Sequence, residues 1–228
     1  MRPSFVEVDL NNLRHNLDLI RKHTDNRPVM AVVKSNAYGH GMLKVAQLYE
    51  KLGVNCLGVA LLEEGIRLRE SGISLPIVVF GGVLPQQIIQ YLEWNLEFLV
   101  SSPEVLRVTE SICKSGSRQA IVHLKLDSGM GRVGINTADS ASFIEEAVRS
   151  EHITVKGVCS HLACADDPKN PFTLKQVESF LAAVSVFERL GAEIPLRHLA
   201  NSGGVLYFPE THLDLIRPGI LLYGVYPD

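Results

Sequence analysis

The chain has 228 residues, 46% of them hydrophobic and 21% charged, with a formal net charge of −3. That is enough chain for one large core or two small ones, and the near-neutral balance leaves no basic footprint for nucleic acid and no acidic tail. The longest apolar runs, such as PIVVFGGVL (76–84), are far too short to cross a bilayer. The opening MRPSFVEVDLNNLRHN carries charges and lacks the apolar centre of a signal peptide, so a soluble cytoplasmic protein is expected. The cysteines at 56, 113, 159 and 164 show no paired spacing and read as free thiols. Cys159 and Cys164 flank His161, but no second ligand pair stands at zinc-site spacing, and no metal is expected.

Along the chain, short apolar runs alternate with longer amphipathic ones. SFVEVDL (Ser4–Leu10) reads as a first strand, and LNNLRHNLDLIRKH as a helix. Strands are then expected at Val29–Lys34, Cys56–Ala60, Pro76–Gly81, Leu96–Val100, Gln119–Asp127, Thr154–His161, Leu196–Asn201 and Leu213–Gly219. The stretches 40–53, 62–72, 85–94, 103–116, 137–150 and 171–191 read as helices. Several close on glycine and three open near a proline, both at positions that suit helix ends. The strand runs are continuously apolar, as in parallel strands covered on both faces. Eight of them at this length predict a (β/α)8 barrel, with a doubly wound sheet as the second choice. Two stretches have no place in a closed barrel, SFVEVDL and the closing ILLYGVYPD. Residues 1–10 and 219–228 are therefore expected to belong structurally with a further domain outside this chain.

Active sites of such barrels gather at the C-terminal ends of the strands. Those ends carry Lys34, Lys125 with Asp127, His161, Asn201 with Ser202, and Arg217 with Gly219. A lysine partly desolvated at the mouth has a lowered pKa and a nucleophilic amine suited to an aldehyde. For a lone lysine the plainer reading, a side chain reaching solvent, would be better. ANSGG (200–204) and RPGI (217–220) follow the last two strands, where this barrel commonly binds phosphate, although NSGG is also an ordinary turn composition. Gly129 to Gly134 spells GxGxxG after a strand. INTADS delays the helix and no acidic residue follows at ribose-binding distance, so a dinucleotide site is rejected. Arg132 lies seven residues after Lys125, and both are placed to face the mouth.

AVVKSNAYGHG (31–41) closely resembles the pyridoxal-phosphate attachment motif of bacterial alanine racemases. HLKLDSGMGRVG, VCSHLACAD, HLANSGG and RPGILLYGV resemble that family in the same order, so the likeness runs through nearly the whole chain. It implies a fold-type III pyridoxal 5'-phosphate barrel that interconverts L- and D-alanine, supplies D-alanine for peptidoglycan, and works as a homodimer. By the resemblance Lys34 carries the cofactor and acts as one of two bases. Tyr38, Ser202, Gly219 and Ile220 resemble the phosphate contacts, with Asn201 beside them. His161 resembles the residue packed on the pyridine ring, and Arg217 the donor to its nitrogen. Arg132 resembles the arginine near the cofactor phenolate and substrate carboxylate, and Lys125 a lysine often carbamylated. The family's second base is a tyrosine of a C-terminal, mostly β domain, and no tyrosine here matches it. The chain is thus expected to be the barrel half of a longer racemase, inactive or weak alone. Two other readings stand beside it: a single-domain pyridoxal-phosphate homeostasis protein, and a nucleotide-dependent oxidoreductase resting on GxGxxG alone.

Overall fold

The aliphatic runs form parallel strands, because each is flanked by helices that cover its outward side chains. The computed structural model describes residues 5–227. The strands are β1 (Met30–Val32), β2 (Cys56–Val59), β3 (Ile77–Val79), β4 (Glu97–Val100), β5 (Ala120–Asp127), β6 (Ile135–Asn136), β7 (Ile153–Cys159) and β8 (Leu196–His198). They pair in the order β1-β2-β3-β4-β5-β7-β8, all parallel, with β6 on the end of β5. The helices are α1 (Leu10–His23), α2 (Lys34–Tyr38), α3 (Met42–Lys51), α4 (Leu62–Glu70), α5 (Ile88–Glu93), α6 (Pro103–Ser115), α7 (Ala141–Arg149), α8 (Phe172–Arg189) and α9 (Ser202–Tyr207). Local chemistry sets their starts. The Asp9 carboxylate accepts the Asn11 N–H at 2.7 Å ahead of α1, and Ser102 Oγ accepts the Val105 N–H ahead of Pro103 and α6.

The sheet closes through residues 213–219. A single bridge pairs Val29 with Ile216. Around it Met30 N–H donates to the Ile216 carbonyl (2.9 Å), Ile216 N–H to Pro28 (3.0 Å) and Val32 N–H to Pro218 (3.2 Å). On the other side Arg217 N–H reaches the Ala200 carbonyl at 3.0 Å. The (β/α)8 architecture therefore stands, but the expected eighth strand contracts to this bridge, since Pro218 has no N–H to extend a ladder.

Three further expectations change. Residues 5–9 are not a strand: Phe5 and Val6 are exposed, and the Asp9 cap commits the following residues to α1 (Ser4 lies outside the described residues). Residues 220–223, assigned above to a further domain, form a 3-10 turn of this one, with Leu221, Leu222 and Tyr223 buried in its core. Asn16 of α1 fastens that turn by donating to the Leu222 carbonyl at 3.0 Å. The strand interiors also differ from uniformly apolar. Met30, Cys56, Val78, Leu99, Cys159 and Leu215 form an apolar layer inside the barrel. Glu97, His123, Lys125, His198 and Arg217 are buried as well, and Glu97, His123, His198 and Arg217 are hydrogen-bonded in a polar column.

Candidate active site

Lys34 stands just past β1, half-buried, and opens a turn of unusual hand. Ser35, Asn36, Ala37 and Tyr38 all have φ between 52° and 55°. Left-handed backbone costs a non-glycine residue roughly 1–2 kcal/mol, so four in a row persist only where neighbours over-determine them. Asn36 Oδ1 accepts the Met42 N–H at 2.9 Å, and His40 Nδ1 sits 3.0 Å from the Ala37 carbonyl. Glu64 of α4 accepts the Ser35 N–H at 2.6 Å. Beneath the turn, the Tyr223 hydroxyl donates to the Val32 carbonyl at 2.9 Å, and its ring packs on Tyr38 and His40.

The turn opens onto a cavity of about 470 Å³ at the C-terminal ends of the strands. Of the strand-end residues singled out from the sequence, Asp127 stays off its wall, and the other expected site residues line it. Lys34 and Tyr38 come from the first unit, Lys125 and Arg132 from β5 and its loop, and His161 from the segment after β7. Asn201 and Ser202 follow β8, and Arg217, Gly219 and Ile220 follow the closing bridge. Lysines 34 and 125 and arginines 132 and 217 thus share one wall system, in which Asp166 is the acidic residue among the described ones. Burial, then Arg132, lowers the pKa of Lys34, with Glu64 opposing. Burial, with the Arg217 and Arg132 charges also acting, lowers that of Lys125, whose Nζ donates to the Leu126 carbonyl at 2.7 Å. Burial and the surrounding cations bring His161 down to about 3, so its ring is neutral at physiological pH. A cavity of this charge suits a ligand with several anionic groups.

Arg217 is held from below. One terminal nitrogen, Nη1, donates to His198 Nδ1 (3.0 Å) and to the His198 carbonyl, while Nη2 donates to the carbonyls of Ser160 (2.8 Å) and Leu199 (3.2 Å). Of five guanidinium hydrogens, four are spent, and the Nε–H has no partner among the described residues. Because His198 accepts at Nδ1, its proton sits on Nε2, which donates to His123 Nδ1 at 2.9 Å. His123 then carries its own proton on Nε2 and donates to Glu97 Oε2 at 2.9 Å. Lys156 completes the column at Glu97 Oε1, 2.5 Å away. Burial holds both histidines below their ordinary pKa, hence neutral. Burial pushes Glu97 up, but the His123 and Lys156 hydrogen bonds together outweigh it and hold the carboxyl below its usual range. Gly157 makes room for this column, since a Cβ there would fall 2.1 Å from His123 Nδ1.

Two loops complete the wall. Ser202 Oγ accepts the N–H groups of Gly219 (3.0 Å) and Leu221 (3.2 Å), which leaves its own hydrogen to donate outward. A Cβ on Gly219 would stand 2.4 Å from the Tyr38 hydroxyl, so glycine is what lets that hydroxyl lie against the backbone. The His161 backbone is gripped by Gln176, which donates to its carbonyl at 3.0 Å and accepts the Ala163 N–H at 2.9 Å. In the GxGxxG stretch the Asp127 carboxylate accepts the N–H groups of Gly129, Met130 and Gly131 at 2.8–2.9 Å. The amides that a dinucleotide fingerprint turns toward a pyrophosphate are already occupied.

Residues 8–227 match a family described as "Alanine racemase, N-terminal domain". The chain belongs to the alanine racemase N-terminal domain family. It is 41% identical over 227 residues to the alanine racemase of Symbiobacterium thermophilum, and 37% identical over 227 residues to that of Methanococcus maripaludis. These alignments take in 100% and 99% of this chain, but 60% and 61% of the relatives. The chain spans about 60% of the length of the curated alanine racemases it matches. In solved structures, alanine racemase from Clostridium difficile 630 superposes with a TM-score of 0.95 at 34% identity, over 100% of this chain and 60% of that one. The Bacillus anthracis alanine racemase with bound L-Ala-P gives 0.92 at 32%, over 100% and 59%. Sequence reasoning missed the column of an alanine racemase barrel, His123, His198 and Glu97, together with Glu64 and Gln176. A signal existed for one of them: His123 lies two residues before Lys125, on the same face of a strand. The others depend on partners 13 to 75 residues away, which no local pattern encodes.

Proposed function

We propose that this chain is the cofactor-bearing barrel of a pyridoxal-phosphate-dependent alanine racemase, contributing one of two catalytic bases. The observation that carries the reading is the convergence of Lys34 with the Ser202–Gly219 loops and Arg217 on one cationic cavity. The residues present fit the cofactor. Tyr38, Ser202, Gly219 and Ile220 would take the phosphate, with Asn201 beside them, and the unspent Ser202 hydroxyl hydrogen suits that role. His161 would pack on the ring, and the free Arg217 Nε–H would meet the pyridine nitrogen. An arginine retains its proton, so that nitrogen must accept, which moderates the cofactor's electron-withdrawing power and disfavours side reactions. Pyridoxal phosphate, when bound, supplies the electron sink that acidifies the Cα–H of an amino acid. Lys34 holds the cofactor and, with its lowered pKa, moves the Cα proton on one face. Arg132 receives the substrate carboxylate, and Lys125, carbamylated, would brace Arg132 by opposite charge.

Inversion needs a base on the other face of Cα as well. Tyr223 does not supply it, because its hydroxyl is committed to the Val32 carbonyl under the lysine turn. The second base, and with it the homodimer, belongs to the part of the relatives that lies beyond this chain. The four free cysteines agree with a reducing cytoplasm, and no helix among the described residues is long and apolar enough to cross a membrane. The test is to incubate the chain with pyridoxal phosphate and L-alanine in deuterated water. Little D-alanine should form, while slow deuterium uptake at Cα keeps the L configuration. Turnover near that of an ordinary enzyme, about 10 s⁻¹, would show that the chain holds both bases.

A further inference from the structure

We propose that Glu64 is a positioning residue for Lys34, its carboxylate tying the first turn of α4 to the backbone N–H that follows the lysine. The inference rests on Lys34 being the cofactor-bearing lysine. Glu64 occupies the third position of α4, where backbone N–H groups lack helical partners. Its Oε2 accepts those of Ala60 (2.8 Å) and Leu61 (3.2 Å), which is ordinary N-terminal capping. Capping needs only that oxygen. Oε1 turns the other way and accepts the Ser35 N–H at 2.6 Å, across to the neighbouring β/α unit.

That bond falls at a sensitive place. The peptide joining Lys34 to Ser35 is planar, so fixing its N–H fixes Lys34 ψ and with it the direction in which the lysine side chain leaves the backbone. Ser35 is also the first of the four left-handed residues. Asn36 and His40 restrain the far end of the turn, and Tyr223 restrains the strand before it. Glu64 holds the start.

Its charge bears on the same amine. Arg132, from the loop after β5, and Glu64, from α4, both act on Lys34, in opposite senses. His161 after β7 and Tyr38 on the turn itself also line the cavity at this end. Glu64 therefore offsets part of the effect of burial and of Arg132 on the amine.

The test reads Lys34 without cofactor. Competitive acetylation of the lysines across pH, quantified by peptide mass spectrometry, gives the Lys34 titration midpoint, and hydrogen–deuterium exchange reports on residues 35–38. Glu64→Gln removes the charge at nearly constant size, and the Lys34 midpoint should fall. Glu64→Asp keeps the charge and shortens the reach. Its midpoint should stay near the parent's, while amide exchange at 35–38 accelerates by about tenfold or more. An unshifted midpoint in Glu64→Gln, or unchanged exchange in Glu64→Asp, overturns the proposal. Failure of the parent chain to link pyridoxal phosphate to Lys34 would instead sink the functional reading, so the two failures are told apart.

Discussion

Replacing Glu97 by glutamine should destabilise the barrel from within. The Glu97 side chain is 8% exposed and accepts from two donors, His123 Nε2–H and Lys156 Nζ. Glutamine keeps the shape but offers one carbonyl oxygen in place of two carboxylate oxygens, so one donor is left facing an N–H₂. Hydrogen bonds to charged groups are worth about 1.5–3 kcal/mol. The Lys156 side chain is 35% exposed and can turn to water, which tempers the loss. A net cost of about 2 kcal/mol follows, or roughly 4–8 °C in Tm for a chain of this size. Urea unfolding at pH 7 measures it. The pH dependence gives a second reading. Because the folded carboxyl titrates below its usual 4.5, its contribution is full above that pH and is lost as pH falls further. The Glu97→Gln chain should therefore lose less stability than its parent through that acid range. A cost under 0.5 kcal/mol, within the ordinary scatter of surface changes, with an identical acid limb, would refute the reasoning that the column is an ordered, charge-anchored unit.

Gly157→Ala pushes a methyl into the same column from the β7 side, and overpacking of this kind typically costs about 1–3 kcal/mol; a variant with parental urea midpoint would contradict the close approach to His123. His161 is held neutral down to about pH 3. The unfolded chain takes up a proton there first, so stability should decline as pH drops below 6.5, by at most about 1.4 kcal/mol per unit for this residue. His161→Gln should flatten that slope, which acid titration of thermal melts checks. Asp127→Asn removes the carboxylate that gathers three amides of the loop bearing Arg132. Hydrogen exchange across 129–131 should speed by about tenfold or more, and parental protection would show that the loop does not depend on it.

How far the sequence could be read follows from where the information lies. Strand order and barrel class were legible because each strand is a contiguous apolar run between helices. The site was legible because barrel geometry sends strand ends to one face: Lys34, Lys125, His161 and Arg217 stand at the ends of β1, β5, β7 and the closing bridge and line one cavity. Residues 5–9 misled because FVEV is rich in strand-favouring residues, while Phe5 and Val6 stay exposed, only Val8 packs against the core, and Asp9 starts a helix. The interior column was hidden for the opposite reason. Single polar residues inside apolar runs look like interruptions until the sheet curls and sets His123 against His198, 75 residues away. Glu64 was read only as a helix residue, since its second partner, Ser35, lies 29 residues upstream.

The central claim is that this barrel carries pyridoxal phosphate on Lys34. Borohydride reduction of the chain saturated with the cofactor, followed by proteolysis and mass spectrometry, tests it most directly. A single modified peptide spanning AVVKSNAYGHG, with the added mass on Lys34 and no visible cofactor band in Lys34→Ala, is the result expected. Cofactor fixed on Lys125 or another lysine, or scattered over surface lysines with Lys34 unmodified, would contradict it.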